Sequence, residues 1–343
     1  MLLLACAPKP SVEVVSVSEL GPMHDAPTIQ GRDGGFSDEI FGVSVWSYGD
    51  TVTTEAGGDE GTWRNNTASW TALGGDLDTW EQHQDAFGVP LEFLPRTEVE
   101  QTYNEEHSGE GCQQPCGARE ALWGGPIVGL ADRGYVFYWK IHGEPGAWNF
   151  YPRGMGVAEW DALEDRPVRP EPGVVPSHPT LLFADSDGPG AAAWTHEGLL
   201  YAFGCETAPT KPCQLARVDP TRVQDLEAWQ WWTGSAWGGH EDASTVFYGA
   251  PMMSVWWEQE LATWIALYSQ PGGQDIVLRT AADVTGPWSR ELFVFEAQDS
   301  HDGAWPYAGL AHPELDRQGL IVSYYRSPAD WQGEIVLLEV ELR

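Results

Sequence analysis

Positive charge is what this chain has least of. Its 343 residues carry 18 Lys+Arg against 51 Asp+Glu, a formal net charge of −33. Only three lysines occur, Lys9, Lys140 and Lys211, and none follows a glycine, so there is no Walker A phosphate loop. Nucleic-acid binding needs cationic side chains that displace counterions from phosphates, and this chain repels phosphates. The same repulsion argues against docking on anionic lipid headgroups. Beyond the first residues no apolar run reaches the roughly 18 residues that mark a bilayer-spanning helix. A Gly-x-Ser-x-Gly elbow and a His-Glu-x-x-His zinc helix are both missing. Gly188 to Ala193 fits a dinucleotide fingerprint by letters alone and has no βαβ context. The Asp185-Ser186-Asp187 run lacks the later ligands of an EF-hand loop.

Core-forming material is abundant. Hydrophobic residues make up 42%, with 19 Trp, 11 Tyr and 11 Phe, which excludes an acidic disordered chain. Gly 39 and Pro 25 punctuate it densely without a collagen-like period. The composition points to an acidic, aromatic-rich, all-β protein.

The chain opens Met1-Leu2-Leu3-Leu4-Ala5-Cys6, and Leu3 to Cys6 resembles a bacterial lipobox. The expectation is a signal remnant over residues 1–6, lipidation at Cys6, and an exported protein anchored in the periplasm or at the cell surface. The membrane is then met only through that anchor. The other four cysteines form two local pairs, Cys112 with Cys116 and Cys205 with Cys213. In an exported protein, short-range pairs read as loop-stapling disulfides; neither has the two-residue spacing of a zinc knuckle.

Five segments share one grammar: a Gly/Pro/aromatic approach, a small-residue strand, a polar turn, then an aromatic strand. Their approaches begin near residues 36, 126, 191, 250 and 307. The later steps are roughly 60 residues, the size of a four-stranded propeller blade with generous loops. The first step is longer and leaves room for an insertion around residues 98–120, rich in glutamate and carrying Cys112 and Cys116. Ser11–Val17 and Glu334–Leu342 are strand-like at opposite ends of the chain. Propellers commonly close by pairing such ends in one blade, which hides both edges. The sequence therefore predicts one five-bladed β-propeller over residues 11–343. Helix is expected only as short turns at Val157–Leu163 and Arg222–Trp229.

Gly31-Arg32-Asp33-Gly34-Gly35-Phe36-Ser37 followed by Val45-Trp46-Ser47-Tyr48-Gly49-Asp50-Thr51 resembles the opening of a bacterial family long called a domain of unknown function. Some of its members are five-bladed propeller endo-D-arabinanases. Matches continue in order through Asn66-Thr67-Ala68, Trp229 to Trp237, Leu278-Arg279-Thr280-Ala281, Thr285-Gly286-Pro287-Trp288 and His312-Pro313-Glu314-Leu315. The resemblance implies a carbohydrate site at the axis mouth, with Asp33 and Asp50 as its acidic candidates.

Glycoside hydrolysis needs one carboxylic acid to protonate the leaving oxygen and one carboxylate on the other face. Asp33 and Asp50 fit those roles, in an order the sequence does not assign. Carboxyl groups about 5–5.5 Å apart would retain configuration, and about 6.5–9.5 Å would invert it. As bland alternatives, Asp33 caps a turn and Asp50 makes an Asx-type bond. Sugar rings pack on aromatic planes and need polar partners for their hydroxyls. Trp123, Tyr248, Trp305 and Tyr307 are the aromatic candidates; Arg32, Asn66, Asp187 and His312 are the polar ones, with Glu206 a weaker spare. His312 and Glu314 also read as a buried hydrogen-bonded pair. Most other tryptophans, including Trp229, Trp231 and Trp232, are expected to pack between blades.

The function expected is a glycoside hydrolase on furanose-containing, arabinan-like or related bacterial polysaccharide. It would act as a monomer on poly- or oligosaccharide, with no nucleic-acid partner and no organic cofactor, a structural cation near the axis being left open. Its rivals are a non-catalytic glycan-binding surface lipoprotein, which needs no paired acid, and a protein-interaction propeller with a plugged axis.

Overall fold

The computed structural model describes residues 8–57, 61–146, 148–184, 188–206, 209–315, 317–330 and 332–343. Five antiparallel sheets follow one another along the chain and form a five-bladed propeller. The innermost strands are Ile29–Ile40, Arg119–Gly129, Ala192–His196, Ser254–Glu258 and Tyr307–His312, defining blades 1 to 5. Of the expected approaches, those near 36, 126 and 307 lie within these strands and those near 191 and 250 run into them.

Closure occurs in blade 5. Val14–Pro22 adds to the outside of Gln332–Leu342, with Val17 opposite Val340. The ring is thereby joined by backbone hydrogen bonds between the two ends of the chain, as the terminal strand patterns predict.

The core is a set of layers between neighbouring blades. Trp160, Ile40, Val45 and Phe93 fill the layer between blades 1 and 2, and Phe137, Leu200 and Trp229 that between blades 2 and 3. Phe203, Trp264 and Tyr268 pack blade 3 on blade 4. A sheet apolar on both faces has no solvated side, which is why the strands read as aromatic and aliphatic runs. Near the axis the strands crowd: a Cβ on Gly129 would lie 1.9 Å from the carbonyl oxygen of Glu39, so only glycine fits.

One of the two expected helical turns forms and the other does not. Val157–Trp160 belongs to the strand Phe150–Trp160, and the 220–229 segment makes two 3-10 turns, Pro220–Arg222 and Leu226–Ala228. The α-helix is Glu98–Glu106, inside the expected insertion. Thr97 caps it, its hydroxyl accepting from the Glu100 amide while the Glu100 carboxylate accepts from the Thr97 amide. Glu100 also meets Lys140 Nζ at 2.9 Å and the Arg169 guanidinium. Burial raises the Glu100 pKa, but hydrogen bonding and charge from Arg169 and Lys140 outweigh it and bring it to about 2. This ionic cluster ties the insertion to blade 2. The two expected disulfides are both formed, Cys112–Cys116 and Cys205–Cys213.

Candidate active site at the propeller axis

Asp33 and Asp50 come together through local pairing. The first two strands of blade 1 are joined by a tight hairpin, and their register sets Arg32 opposite Thr51 and Gly34 opposite Tyr48. Irregularities on both sides of Gly34, which has φ +87°, turn the strand so that the Asp33 carboxylate folds over Gly49. A Cβ on Gly49 would stand 2.5 Å from Asp33 Oδ1, so the carboxylate occupies the place of a side chain. The backbone N–H of Asp50 donates to that carboxylate, and so does the Tyr307 hydroxyl from blade 5.

The two carboxylates differ in their surroundings. Burial, and then the neighbouring Asp50 charge, push Asp33 up to about 7, against the opposing effect of its donors. Burial raises Asp50 as well, but it is opposed by side-chain donors on three sides and by the charge of Arg119. Asn65 Nδ2 and Trp63 Nε1 each donate to Asp50 Oδ1 at 3.1 Å, and the Trp123 indole adds a third bond. Donors aimed at a carboxylate favour its ionised form. Both carboxylates are thus raised above the usual range, and the donors and Arg119 around Asp50 make it the better placed of the two to carry the charge.

Aromatic groups frame the pair. Trp123 packs edge-on against Phe150 at 5.1 Å, and Phe150 lies 6.3 Å from the exposed Trp148. Tyr307 lies 4.7 Å from Tyr325, and burial pushes its hydroxyl well above the usual range. Trp305, 64% exposed, stands two residues before the inner strand Tyr307–His312, and Tyr248, 55% exposed, lies on the short strand Phe247–Tyr248 that pairs with Pro212–Val218 of blade 3.

The other expected contacts are placed differently. Arg32 neighbours Asp33 on a strand, so its side chain leaves by the opposite face. Its guanidinium pairs with Asp25, lies 3.6 Å over the Tyr48 ring and donates to Ser69 at 3.3 Å, buried within the blade. Asn66 is buried with both ends of its amide engaged, donating to Leu122 O at 2.9 Å and accepting from Leu94 N at 2.6 Å. It pins blade 1 to blade 2 and presents nothing to a sugar. His312 stacks on Trp46 at 3.6 Å, with Ser37 at 2.6 Å from Nδ1 and Ser323 at 2.8 Å from Nε2. Burial lowers its pKa well below the usual histidine range. Glu314 is half-buried and accepts from Ser44 at 2.6 Å, so His312 and Glu314 bond to serines and not to each other as a buried pair would. Glu206 is exposed beside the Cys205–Cys213 turn. Asp187 and Cys6 lie outside the described residues.

Trp63, Asn65, Arg119 and Tyr325 are site residues that sequence reasoning missed. The signal was adjacency: Trp63 and Asn65 lie next to Asn66-Thr67-Ala68, which carries part of the family resemblance. Among the described residues, no three His, Cys, Asp or Glu side chains are grouped to hold a metal ion.

Comparison with known proteins agrees with this fold. A protein of Bacteroides ovatus ATCC 8483 superposes with a TM-score of 0.61 at 14% identity, covering 92% of this chain and 87% of that one. Zg3597, a family 117 glycoside hydrolase of the marine bacterium Zobellia galactanivorans, gives a TM-score of 0.57 at 12% identity, over 97% and 92%. At such identities the likeness is one of fold. In sequence, "Notoamide biosynthesis cluster protein J" of Aspergillus sp. (strain MF297-2) is 29% identical over 143 residues, 38% of this chain and 37% of that protein. The match thus spans little more than a third of that relative. The chain shares the fold of these solved structures, a five-bladed propeller, and its residues 160–329 match the family described as "Domain of unknown function (DUF4185)".

Proposed function

We propose that the chain is a glycoside hydrolase acting on furanose-containing, arabinan-like or related polysaccharide, with Asp33 as general acid and Asp50 as the second carboxylate. The observation that carries this reading is the split environment of one acidic pair: Asp33 raised to about 7 by burial and by its neighbour's charge, Asp50 ringed by donors. Burial lifts both carboxylates above their usual range, and the donors and the cation gathered on Asp50 make it the member better able to carry the charge while Asp33 holds the proton, the division that acid–base catalysis needs. In the reaction, the Asp33 proton passes to the glycosidic oxygen as the bond to the anomeric carbon breaks. On the other side of that carbon Asp50 either takes a proton from the water whose oxygen bonds to the carbon, or itself bonds to the carbon until water displaces the carboxylate. Asn65 and Trp63 hold Asp50 in place, and the Tyr307 hydroxyl positions Asp33. Trp123 and Phe150 offer ring faces to the C–H faces of a sugar. A pocket that only bound glycan would not need a second acid, which favours hydrolysis over the binding-only reading. Lipid anchoring at Cys6 and export belong to the same proposal, and the two local disulfides suit an oxidising compartment.

Reducing ends released from arabinan, arabinogalactan and fructan test the reading. Asp33→Asn and Asp50→Asn should each lower turnover by at least about 100-fold, the scale of lost acid–base catalysis. Undiminished turnover in both variants, or none by the wild-type protein on any of the three, refutes it.

A further inference from the structure

A second cleft opens on the opposite face. Each innermost strand starts at the Asp33 end of the ring and finishes in a hairpin at the other end. In blade 3 that hairpin turns through Glu197 and Gly198, between Ala192–His196 and Leu199–Cys205. In blade 4 it lies between Ser254–Glu258 and Thr263–Ser269. Between these two hairpins is a cleft of about 590 Å³.

Its walls are rings. Trp232, Trp237 and Trp257 are half-buried there, above buried Tyr201 and Trp264. Edge-to-face contacts fix them: Trp232 on Trp237 at 5.5 Å and Trp257 on Trp264 at 5.6 Å. Arg217 lies 4.0 Å over the Trp237 ring and donates to Gln230 at 3.0 and 3.1 Å. Glu197 and Asp283 stand among the lining residues. A second cavity of about 250 Å³ shares His196, Trp257 and Trp264 with the cleft and reaches Asp38 and Glu314 at the far mouth of the axis. Trp194 lines this second cavity; it is 8% exposed, and its indole N–H is buried without a hydrogen-bond partner.

We propose that this far-face groove is a second carbohydrate-binding site, taking a neutral polysaccharide chain and separate from the Asp33–Asp50 pair. Preset ring faces suit the C–H faces of sugars, and carboxylate and guanidinium groups beside them suit hydroxyls. The volume lies within the range of small-ligand sites. Neutral ligands follow from the field of a chain with net charge −33, which disfavours polyanions. The groove does not depend on hydrolysis at the other face.

The test is affinity electrophoresis in gels containing arabinan, arabinogalactan, fructan or xylan, with alginate as the polyanion. Asp33→Asn/Asp50→Asn protein serves as the parent, so that no substrate is consumed. A neutral polysaccharide should retard the parent, and adding Trp237→Ala/Trp257→Ala should weaken retardation at least tenfold in apparent Kd. Glu197→Ala/Asp283→Ala leaves every ring in place and should weaken it several-fold, which decides the matter if the tryptophan variant melts early. Retardation unchanged by the ring-preserving variant, retardation by alginate alone, or none by any gel overturns the proposal. Should the wild-type protein hydrolyse nothing while retardation still depends on these residues, only the hydrolase reading fails.

Discussion

The Asp33 environment predicts a stability signature that reads the catalytic assignment without any substrate. In the folded protein its pKa rises from 3.8 to about 7, the leading cause being burial. A raised carboxylate pKa means that between those values the unfolded chain loses its proton before the folded one does. Stability therefore falls as pH climbs from about 4 to about 7. At about 1.4 kcal/mol per tenfold change in proton affinity, the ceiling is ~4 kcal/mol. Asp33 sits at a partly open mouth, and solvent screening reduces the effect to ~2 kcal/mol. Asp33→Asn removes the titration and keeps one acceptor oxygen for Tyr307 or the Asp50 amide, losing the other bond at about 1 kcal/mol. The variant should thus melt below the wild type at pH 4 and above it at pH 8. The swing of ~2 kcal/mol corresponds to about 3 °C in a chain of this size. Thermal melts by differential scanning fluorimetry at half-unit pH steps check it. A melting-temperature difference that stays flat across that range would refute the buried, proton-retaining role of Asp33.

Three further outcomes follow from the same geometry. Tyr307→Phe removes a donor that favours ionised Asp33, so the alkaline limb of the pH–rate profile should move up by as much as about one pH unit; an unmoved limb excludes that role. Gly49→Ala places a methyl 2.5 Å from Asp33 Oδ1 and should cut turnover about 100-fold while shifting the melting temperature little, because the carboxylate and not the backbone gives way. Arg169→Leu strips Glu100 of a buried partner and should destabilise the protein by about 3–5 kcal/mol, seen as a lower urea midpoint; a smaller loss than about 1 kcal/mol would mean that Lys140 suffices.

The sequence by itself determined the fold class, the five blades and the closure. Those depend on local alternation, turn residues and the apolar character of both strand faces, all written within about 60 residues of each other. It also determined the Asp33–Asp50 pairing, since both sit on neighbouring strands of one hairpin whose register is fixed nearby. The disulfides were legible for the same reason. The capping box at Thr97 and Glu100 is equally local, a Thr-x-x-Glu signature that marks the start of Glu98–Glu106. Which way Arg32 points was decided by the pleat of a bulged strand and by Asp25 and Tyr48 beyond it.

Only the tertiary structure decided contacts made by closing the ring. Tyr307 reaches Asp33, and His312 reaches Ser37 and Trp46, because blade 5 is brought against blade 1 from the far end of the chain. Tryptophan roles were decided in the same way. Trp229 and Trp231 are buried between blades as their neighbours in sequence suggest, whereas Trp232 lines the far-face cleft. Blades fan out from a common axis, so the gap between them widens with radius. Whether a ring is core or wall depends on its distance from that axis, a quantity that no stretch of sequence contains.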